Sequence, residues 1–554
     1  MTTPQHNPTA PARDWWRDAV IYQVYPRSFA DGNGDGMGDL AGIRSRLPYL
    51  RDLGVDAVWL SPFYASPQAD AGYDVADYRA IDPMFGTLAD AEALIAEAHR
   101  LGLRIITDLV PNHCSDQHEW FRRALVEGPG STARERFHFR KGRGENGEQP
   151  PNDWESLFGG PAWTRVPDGE WYLHLFAPEQ PDFNWDHPAV HDEFRSILRF
   201  WLDLGVDGFR VDVAHGLVKA PGLPDMGHTG EQLKLLGNQP LPFFDQDGVH
   251  AIYRSWRTVL DEYDGERIAV AEAWTPTAER TALYLRPDEL HQAFNFHYLG
   301  TSWDAAALRE AIDASLDAMR PVGAPTTWVL SNHDVVRHRT RLGGDLARAR
   351  AATLLMLALP GSAYLYQGEE LGLPEVTDLP DEVRQDPSFF RDSGQDGLRD
   401  GCRVPLPWSG TEPPYGFGDG TGTGTGTGAG TGNGTGFGDG GSGSWLPQPA
   451  DWAPLTVQAQ TGDPASTLEL YRTALNLRRT HPGLGAGDAV EWLDAPDGVL
   501  AFRRPGGLVC TVNATDAPAR LPAPGRPILS SGHQLPVLDG DFILTPDTTI
   551  WWEE

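Results

Sequence analysis

Gly208-Phe209-Arg210-Val211-Asp212 is a short apolar run that carries a guanidinium and ends in a carboxylate. Residues two apart in an extended strand face the same side, so Arg210 and Asp212 share a face. Seven further runs have the same form, each ending in a polar residue and followed by a helical stretch. They are Ala19–Pro26, Ala57–Pro62, Arg104–Val110, Ile268–Trp274, Ala293–Phe296, Thr327–His333 and Ala363–Gln367. Eight strands alternating with helices predict an α/β protein with a closed parallel (β/α)8 TIM barrel rather than an open doubly wound sheet. No GxGxxG follows the first run, which argues against a dinucleotide site.

The chain of 554 residues, 40% hydrophobic, is long enough for a large barrel with smaller domains around it. Residues 1–112 read as the first part of the barrel. The stretch 113–182, rich in Gly, Pro and Trp, is too long for an ordinary βα loop and reads as a small domain inserted after the third strand. Residues 183–480 complete the barrel. Within them, 416–444 holds 15 glycines in 29 residues, a composition expected to form a mobile surface insertion. From 481 to 554 the pattern becomes alternating strands such as Val499–Arg503, Gly507–Asn513 and Asp541–Leu544, which predicts a C-terminal antiparallel β-domain.

Forty-five basic against 77 acidic residues leave a formal charge of −32. Such a surface repels phosphate backbones and anionic headgroups, so neither nucleic acid nor a membrane is an expected partner. A small molecule is the expected partner of a monomer or homodimer. The first residues show no basic segment followed by an apolar one, so a cytoplasmic protein is expected. The longest apolar run, Ala351–Leu359, is far short of a membrane span and reads as a buried helix. Cys114, Cys402 and Cys510 are odd in number and widely spaced, which predicts free thiols rather than a disulfide framework or a zinc site.

The chemistry is concentrated where the predicted strands end, the face on which such barrels build their sites. Arg210 is expected to depress the Asp212 pKa and keep it ionised as a nucleophile. Glu272 ends the fifth strand among apolar residues, an environment suited to a general acid. Ser331-Asn332-His333-Asp334 ends the seventh strand, and Asp108-Leu109-Val110-Pro111-Asn112-His113 the third. Two carboxyls of opposite tuning are what glycosidic cleavage requires.

Taken together these segments closely resemble the conserved regions of the α-amylase family of glycoside hydrolases, in that family's order and spacing, over nearly the whole chain. The resemblance implies that Asp212 is the nucleophile of a retaining reaction on an α-linked sugar, Glu272 the acid/base, and Asp334 the third carboxylate that holds sugar hydroxyls. His113, Arg210 and His333 would bind the sugar at the cleavage point. Gln180-Pro181-Asp182-Phe183-Asn184 resembles the fifth region of the oligo-1,6-glucosidase branch, which contains exo-acting α-glucosidases. Asp70-Ala71-Gly72-Tyr73-Asp74 and Gly401-Cys402-Arg403 resemble the segments that close the pocket, with Tyr73 stacked on the terminal glucose and Asp70 and Arg403 gripping its 4-hydroxyl.

Asp31-Gly32-Asn33-Gly34-Asp35-Gly36-Met37-Gly38-Asp39 places oxygen ligands at alternate positions, which suits a hard divalent cation. The EF-hand reading fails at the twelfth position, which is Gly42. The loop resembles the metal loop of the same branch, and structural Ca2+, with Mg2+ as the alternative, is expected on Asp31, Asn33, Asp35, the Met37 carbonyl and Asp39. Linkage preference is less sharply marked. Val213, after the nucleophile, accompanies α-1,6 action in relatives, whereas the chain as a whole looks more like bacterial α-glucosidases acting on maltose. The expected activity is therefore an exo-acting α-1,4-glucosidase. An oligo-1,6-glucosidase, a transglycosylase or disaccharide isomerase, a non-catalytic binding protein and a zinc hydrolase on His113 and His333 are the alternatives. The binding protein is disfavoured because all three carboxylates are present, and the zinc hydrolase because no third ligand is evident.

Overall fold

Six of the eight runs hold a short strand whole, while β6 shares only Ala293 with its run and β8 begins one residue before its own: β1 (Val20–Val24), β2 (Ala57–Leu60), β3 (Arg104–Leu109), β4 (Gly208–Val211), β5 (Ile268–Ala271), β6 (Gln292–Ala293), β7 (Thr327–Val329) and β8 (Ser362–Tyr366). All pair in parallel, in the order β6-β5-β4-β3-β2-β1-β8-β7, so neighbours in the chain are neighbours in the sheet. This is a nearly closed barrel, with the β6/β7 seam the one place among the described residues where adjacent strands form no ladder. The computed structural model describes residues 14–227, 239, 241–391, 398–418, 443–532 and 541–554. Most of the Gly/Thr-rich insertion, 419–442, lies outside them.

The strands are apolar throughout because both faces are covered. Ile21, Trp59, Ile106, Ile268, Val270 and Tyr364 point inward and fill the barrel. The alternate residues, among them Tyr22, Val58, Ile105 and Phe209, pack outward against the helices. Local signals terminate those helices: Thr87 and Asp90 form a reciprocal capping box at the start of Leu88–Arg100. Gly54, at a φ of 102°, closes Leu40–Leu53 in a conformation that favours glycine.

After β3 the chain leaves the barrel and forms a small antiparallel sheet of Phe139–Lys141, Trp163–Arg165 and Glu170–Leu173. At the other end of the chain, a five-stranded sheet runs through Glu491–Trp492, Val499–Arg504, Leu508–Asn513, Thr548–Glu553 and Arg526–Ser530. A two-stranded ribbon of Ala519–Pro522 and Asp541–Leu544 lies beside it. This is the expected antiparallel C-terminal domain, and it docks on the predicted buried helix, Leu346–Ala358. Trp551 donates from its indole to the Leu354 carbonyl at 3.0 Å, and Thr549 Oγ1 to that of Ala351 at 2.8 Å. At the end of the helix, the buried Arg478 and Arg504 donate to the carbonyls of Leu357 (2.6 Å) and Ala358 (2.8 Å), where the helix dipole favours a cation.

All three cysteines are free and buried. Among the described residues no helix is long and apolar enough to cross a membrane.

Trp551 is fully buried between the C-terminal sheet and the barrel. Trp551→Ala is expected to destabilise the protein by about 3–5 kcal/mol, read as a lower denaturant midpoint. An unchanged midpoint would mean that the sheet adds nothing to the barrel.

Candidate active site

The parallel register sets Arg210 of β4 directly opposite Asp108 on β3 and Val270 on β5. Two residues further along, Asp212 and Glu272 follow the ends of their strands. Arg210 reaches all three acids: Nη1 lies 2.7 Å from Asp108 and 2.6 Å from Asp212, and Nη2 lies 2.8 Å from Glu272. It sits 5.2 Å over the Trp59 ring. Trp59 in turn donates to Asp108 at 3.0 Å.

Sharing changes the expected electrostatics of Asp212. Burial raises its pKa well above that of an ordinary aspartate; Arg210 pulls it down, but the charges of Glu272, Asp108 and Asp334 push it up again. Arg210 depresses it as expected, but burial outweighs that pull and the net shift is upward. Asp108, with the same partner, is raised to about 6 by burial.

Glu272 is held on two further sides. The Val213 amide donates to one oxygen at 2.9 Å, and the Trp274 indole to the other at 3.3 Å. Val213 makes its bond from a φ of +45°, which a β-branched residue rarely adopts. Trp274 is fixed by face-to-face stacking on Phe296, with centroids 3.8 Å apart.

Asp334 takes Arg403 at 2.9 Å and Arg399 at 3.2 Å, both on one oxygen, and lies 3.1 Å from His333 through the other. Burial alone would raise its pKa, but His333, Arg399 and Arg403 hold it below the usual carboxylate range. The ion pair to Asp70 is made by Arg399, at 3.0 Å, and not by the predicted Arg403. Arg403 lies behind the wall, donating to the His333 carbonyl at 2.8 Å as well as to Asp334. The two arginines are four residues apart on the turn Leu398–Arg403, and only a three-dimensional placement tells them apart.

Asp70, Tyr73, His113, Asp212, Glu272 and Asp334 all line one cavity of about 350 Å3, a size suited to a small organic ligand. Leu157, Phe158 and Phe176 from the inserted domain, Phe244 and Trp274 give it an apolar side. Tyr73 lies parallel to His333, with centroids 5.3 Å apart, and bonds it through its hydroxyl at 2.6 Å. His333 and Arg210 lie one layer below the wall. His333 engages Gln23 (2.7 Å), Tyr73 and Asp334. His113 is pushed down to about 3 by burial and by Lys219, which keeps it neutral.

Several wall and support residues were not singled out by their spacing. Gln180 donates from its amide to Asp70 and lies against His113, both at 3.1 Å, which is the work of the first residue in the Gln-Pro-Asp-Phe-Asn segment. Asp182 in the same segment pairs with buried Lys219 at 2.8 Å, and that lysine also bonds Asn112 at 2.8 Å. His215 lines the cavity with neither ring nitrogen bonded and its ring 4.2 Å from that of Phe244.

In the predicted metal loop the side-chain oxygens cap backbone amides. Asp31 accepts from Asn33 (3.0 Å), Gly34 (2.6 Å) and Gly36 (2.8 Å), Asn33 from Asp35 (2.9 Å) and Asp35 from Met37 (2.9 Å). Asp39 caps the following helix through Gly42 at 2.6 Å. Burial raises the pKa of both Asp31 and Asp39, and the Asp35 charge adds to it. Among the described residues no three His, Cys, Asp or Glu side chains converge as a metal cluster, so a cation here would also draw on the Asn33 amide and a backbone carbonyl.

Paired carboxylates on one guanidinium, at the C-terminal mouth of a parallel barrel, form an arrangement suited to glycosidic cleavage. The α-amylase catalytic-domain model matches residues 23–422. A probable α-glucosidase of Rhizobium meliloti is 36% identical, covering 96% of each chain. An oligo-1,6-glucosidase of Parageobacillus thermoglucosidasius is 35% identical, covering 85% of this chain and 84% of its own. Among solved structures, the α-glucosyl transfer enzyme XgtA superposes with a TM-score of 0.84 at 34% identity, over 97% of this chain and 99% of that one. The trehalulose synthase MutB from Pseudomonas mesoacidophila gives 0.84 at 30% identity, over 99% and 100%. The protein belongs to the α-amylase family of glycoside hydrolases. Its homologues include proteins named α-glucosidase and oligo-1,6-glucosidase.

Because kcat/KM follows the free enzyme, its acid limb is expected to lie above the 3.8 of an ordinary aspartate, activity being lost as pH falls through the raised Asp212 pKa. A pH profile on an α-glucoside with its limb below that value would contradict the shared-guanidinium account.

Proposed function

We propose that the protein is an exo-acting, retaining α-glucosidase that releases glucose from the non-reducing end of short α-1,4-linked oligosaccharides such as maltose. The observation that carries this reading is the ion-pair wall of Asp70, Arg399 and Asp334 beside the carboxylate pair. A charged wall at that place blocks a continuing chain and offers hydrogen bonds to the hydroxyls of a terminal sugar.

In this reading Asp212 attacks the anomeric carbon while Glu272 protonates the departing glycosidic oxygen, leaving a β-glucosyl ester on Asp212. Glu272 then takes a proton from water, which attacks the same carbon and frees the aspartate. Attachment of both carboxyls to one guanidinium supports the short separation of retaining enzymes, about 5–5.5 Å, over the wider gap an inverting enzyme needs for water. Asp334, held ionised by its arginines, binds ring hydroxyls and opposes the positive charge of the oxocarbenium-like transition state. Neutral His113 lines the cavity and meets the Gln180 amide through Nε2 and the Asn112 amide through Nδ1, both at 3.1 Å.

Val213 supports a second reading, an oligo-1,6-glucosidase acting on isomaltose. A likeness to a glucosyl transfer enzyme and a trehalulose synthase supports a third, in which a sugar replaces water in the second step. Separate incubations with maltose, isomaltose, sucrose and trehalose at low and high concentration decide among them. Glucose from maltose well ahead of isomaltose is the expected result. Isomaltose ahead would shift the assignment to the 1,6-linkage, and new disaccharides without free glucose would overturn hydrolysis.

The loop Asp31–Asp39 is proposed to bind structural Ca2+, with Mg2+ as the alternative, through Asp31, Asn33, Asp35, the Met37 carbonyl and Asp39. Buried Asp31 and Asp39 have no lysine or arginine partner among the described residues, and a cation would relieve their repulsion with Asp35. Chelator is expected to lower the thermal midpoint and added CaCl2 to restore it. A midpoint indifferent to both would sink the proposal.

A further inference from the structure

Asp386 is an acid beside the cavity to which the reaction above assigns no task. It is 1% exposed and is not part of the cavity wall. Its two oxygens take the Arg399 fork, Nε at 2.6 Å on one and Nη2 at 2.8 Å on the other. The same guanidinium reaches Asp70 through Nη2 at 3.0 Å and Asp334 through Nη1 at 3.2 Å. A guanidinium is rigid and planar, so pinning one edge orients the rest.

Asp386 is itself well fixed. Its amide and that of Gln385 donate to Asp400 at 3.1 and 2.9 Å, and its Oδ1 accepts from Ser388 at 2.9 Å. Across the cavity, the Phe158 ring lies 4.9 Å from the Arg399 guanidinium. Arg391 of the same segment bonds the Gly159 carbonyl at 2.6 Å, joining this stretch to the inserted domain. Arg399 is therefore gripped from behind by a group that meets no substrate, and from in front by two that do.

We infer that Asp386 is a positioning residue that keeps Arg399 from collapsing onto the carboxylates of the sugar site. This rests on the exo-α-glucosidase reading. Asp334 offers Arg399 only one oxygen at present, and at the longest of the four distances. Once released from Asp386, the fork would turn toward Asp334 and Asp70 and occupy the lone pairs that sugar hydroxyls need. The loss would appear in binding of the terminal glucose, with the carboxylate pair left intact.

The test compares wild type, Asp386→Asn and Asp386→Glu by kinetics on p-nitrophenyl α-glucoside, by competitive inhibition with glucose and by thermal midpoint. In Asp386→Asn, KM and the glucose Ki are expected to rise together by roughly tenfold, the scale of a charged bidentate bond, with kcat within about threefold. Asp386→Glu, which keeps the charge but shifts the fork by one methylene, should fall between. A lowered midpoint with an unchanged Ki would reduce Asp386 to a structural part and overturn the inference, as would no change in either. If the Asn variant does not fold, the Glu variant decides alone: a raised Ki supports the inference and a wild-type Ki overturns it. Wild-type protein inactive on every α-glucoside and blind to glucose would overturn the functional reading itself, a failure distinct from that of Asp386.

Discussion

One guanidinium organises the reaction centre. Arg210 lies on the middle of three adjacent parallel strands, and its two terminal nitrogens hold carboxylates contributed by all three. Removing that many charges from water is costly unless they are paired and hydrogen bonded. Trp59, Tyr73, Trp274 and the Val213 amide supply the remaining bonds. The barrel matters here because parallel register converts sequence spacing into position: Arg210 faces Asp108 because the ladder places it there. Loss of the guanidinium would leave three acids crowded at one mouth with no shared counter-charge.

Beyond this centre the cavity is built from pieces far apart in the chain. The apolar side comes from the inserted domain, the long connection after β4 and Trp274 after β5, and the charged side from Asp70 after β2, Asp334 after β7 and Arg399 after β8. Hydrogen bonds tie the pieces to one another as well as to the barrel: Gln180 of the insert reaches Asp70, and Arg391 of the late segment reaches Gly159 of the insert. The barrel fixes the acids, while the loops settle what surrounds them.

This division explains what could be read in advance. Eight apolar runs ending in polar residues were legible as barrel strands because strands buried on both faces leave little freedom of composition. The acids and His113 were legible as one cluster because they follow directly on those strands. Arg403 was set with Asp70 because Gly401-Cys402-Arg403 resembles the segment that closes the pocket, and no periodicity separates it from Arg399, four residues earlier on an irregular segment. The raised pKa of Asp212 was missed because a neighbouring arginine is visible in sequence, whereas the burial that outweighs it and the number of acids it must serve are not. Phe158, Phe176 and Phe244 carry no local mark, since their joint wall exists only once the insert has folded over the mouth.

The backbone at Val213 has an effect on how such an enzyme can change. Its left-handed conformation aims the amide at Glu272, so the residue after Asp212 holds that carboxylate through its main chain while it also lines the cavity. One residue thereby both borders the cavity and holds a buried carboxylate. A smaller side chain there would reshape the cavity and at the same time alter how firmly the twisted backbone is held.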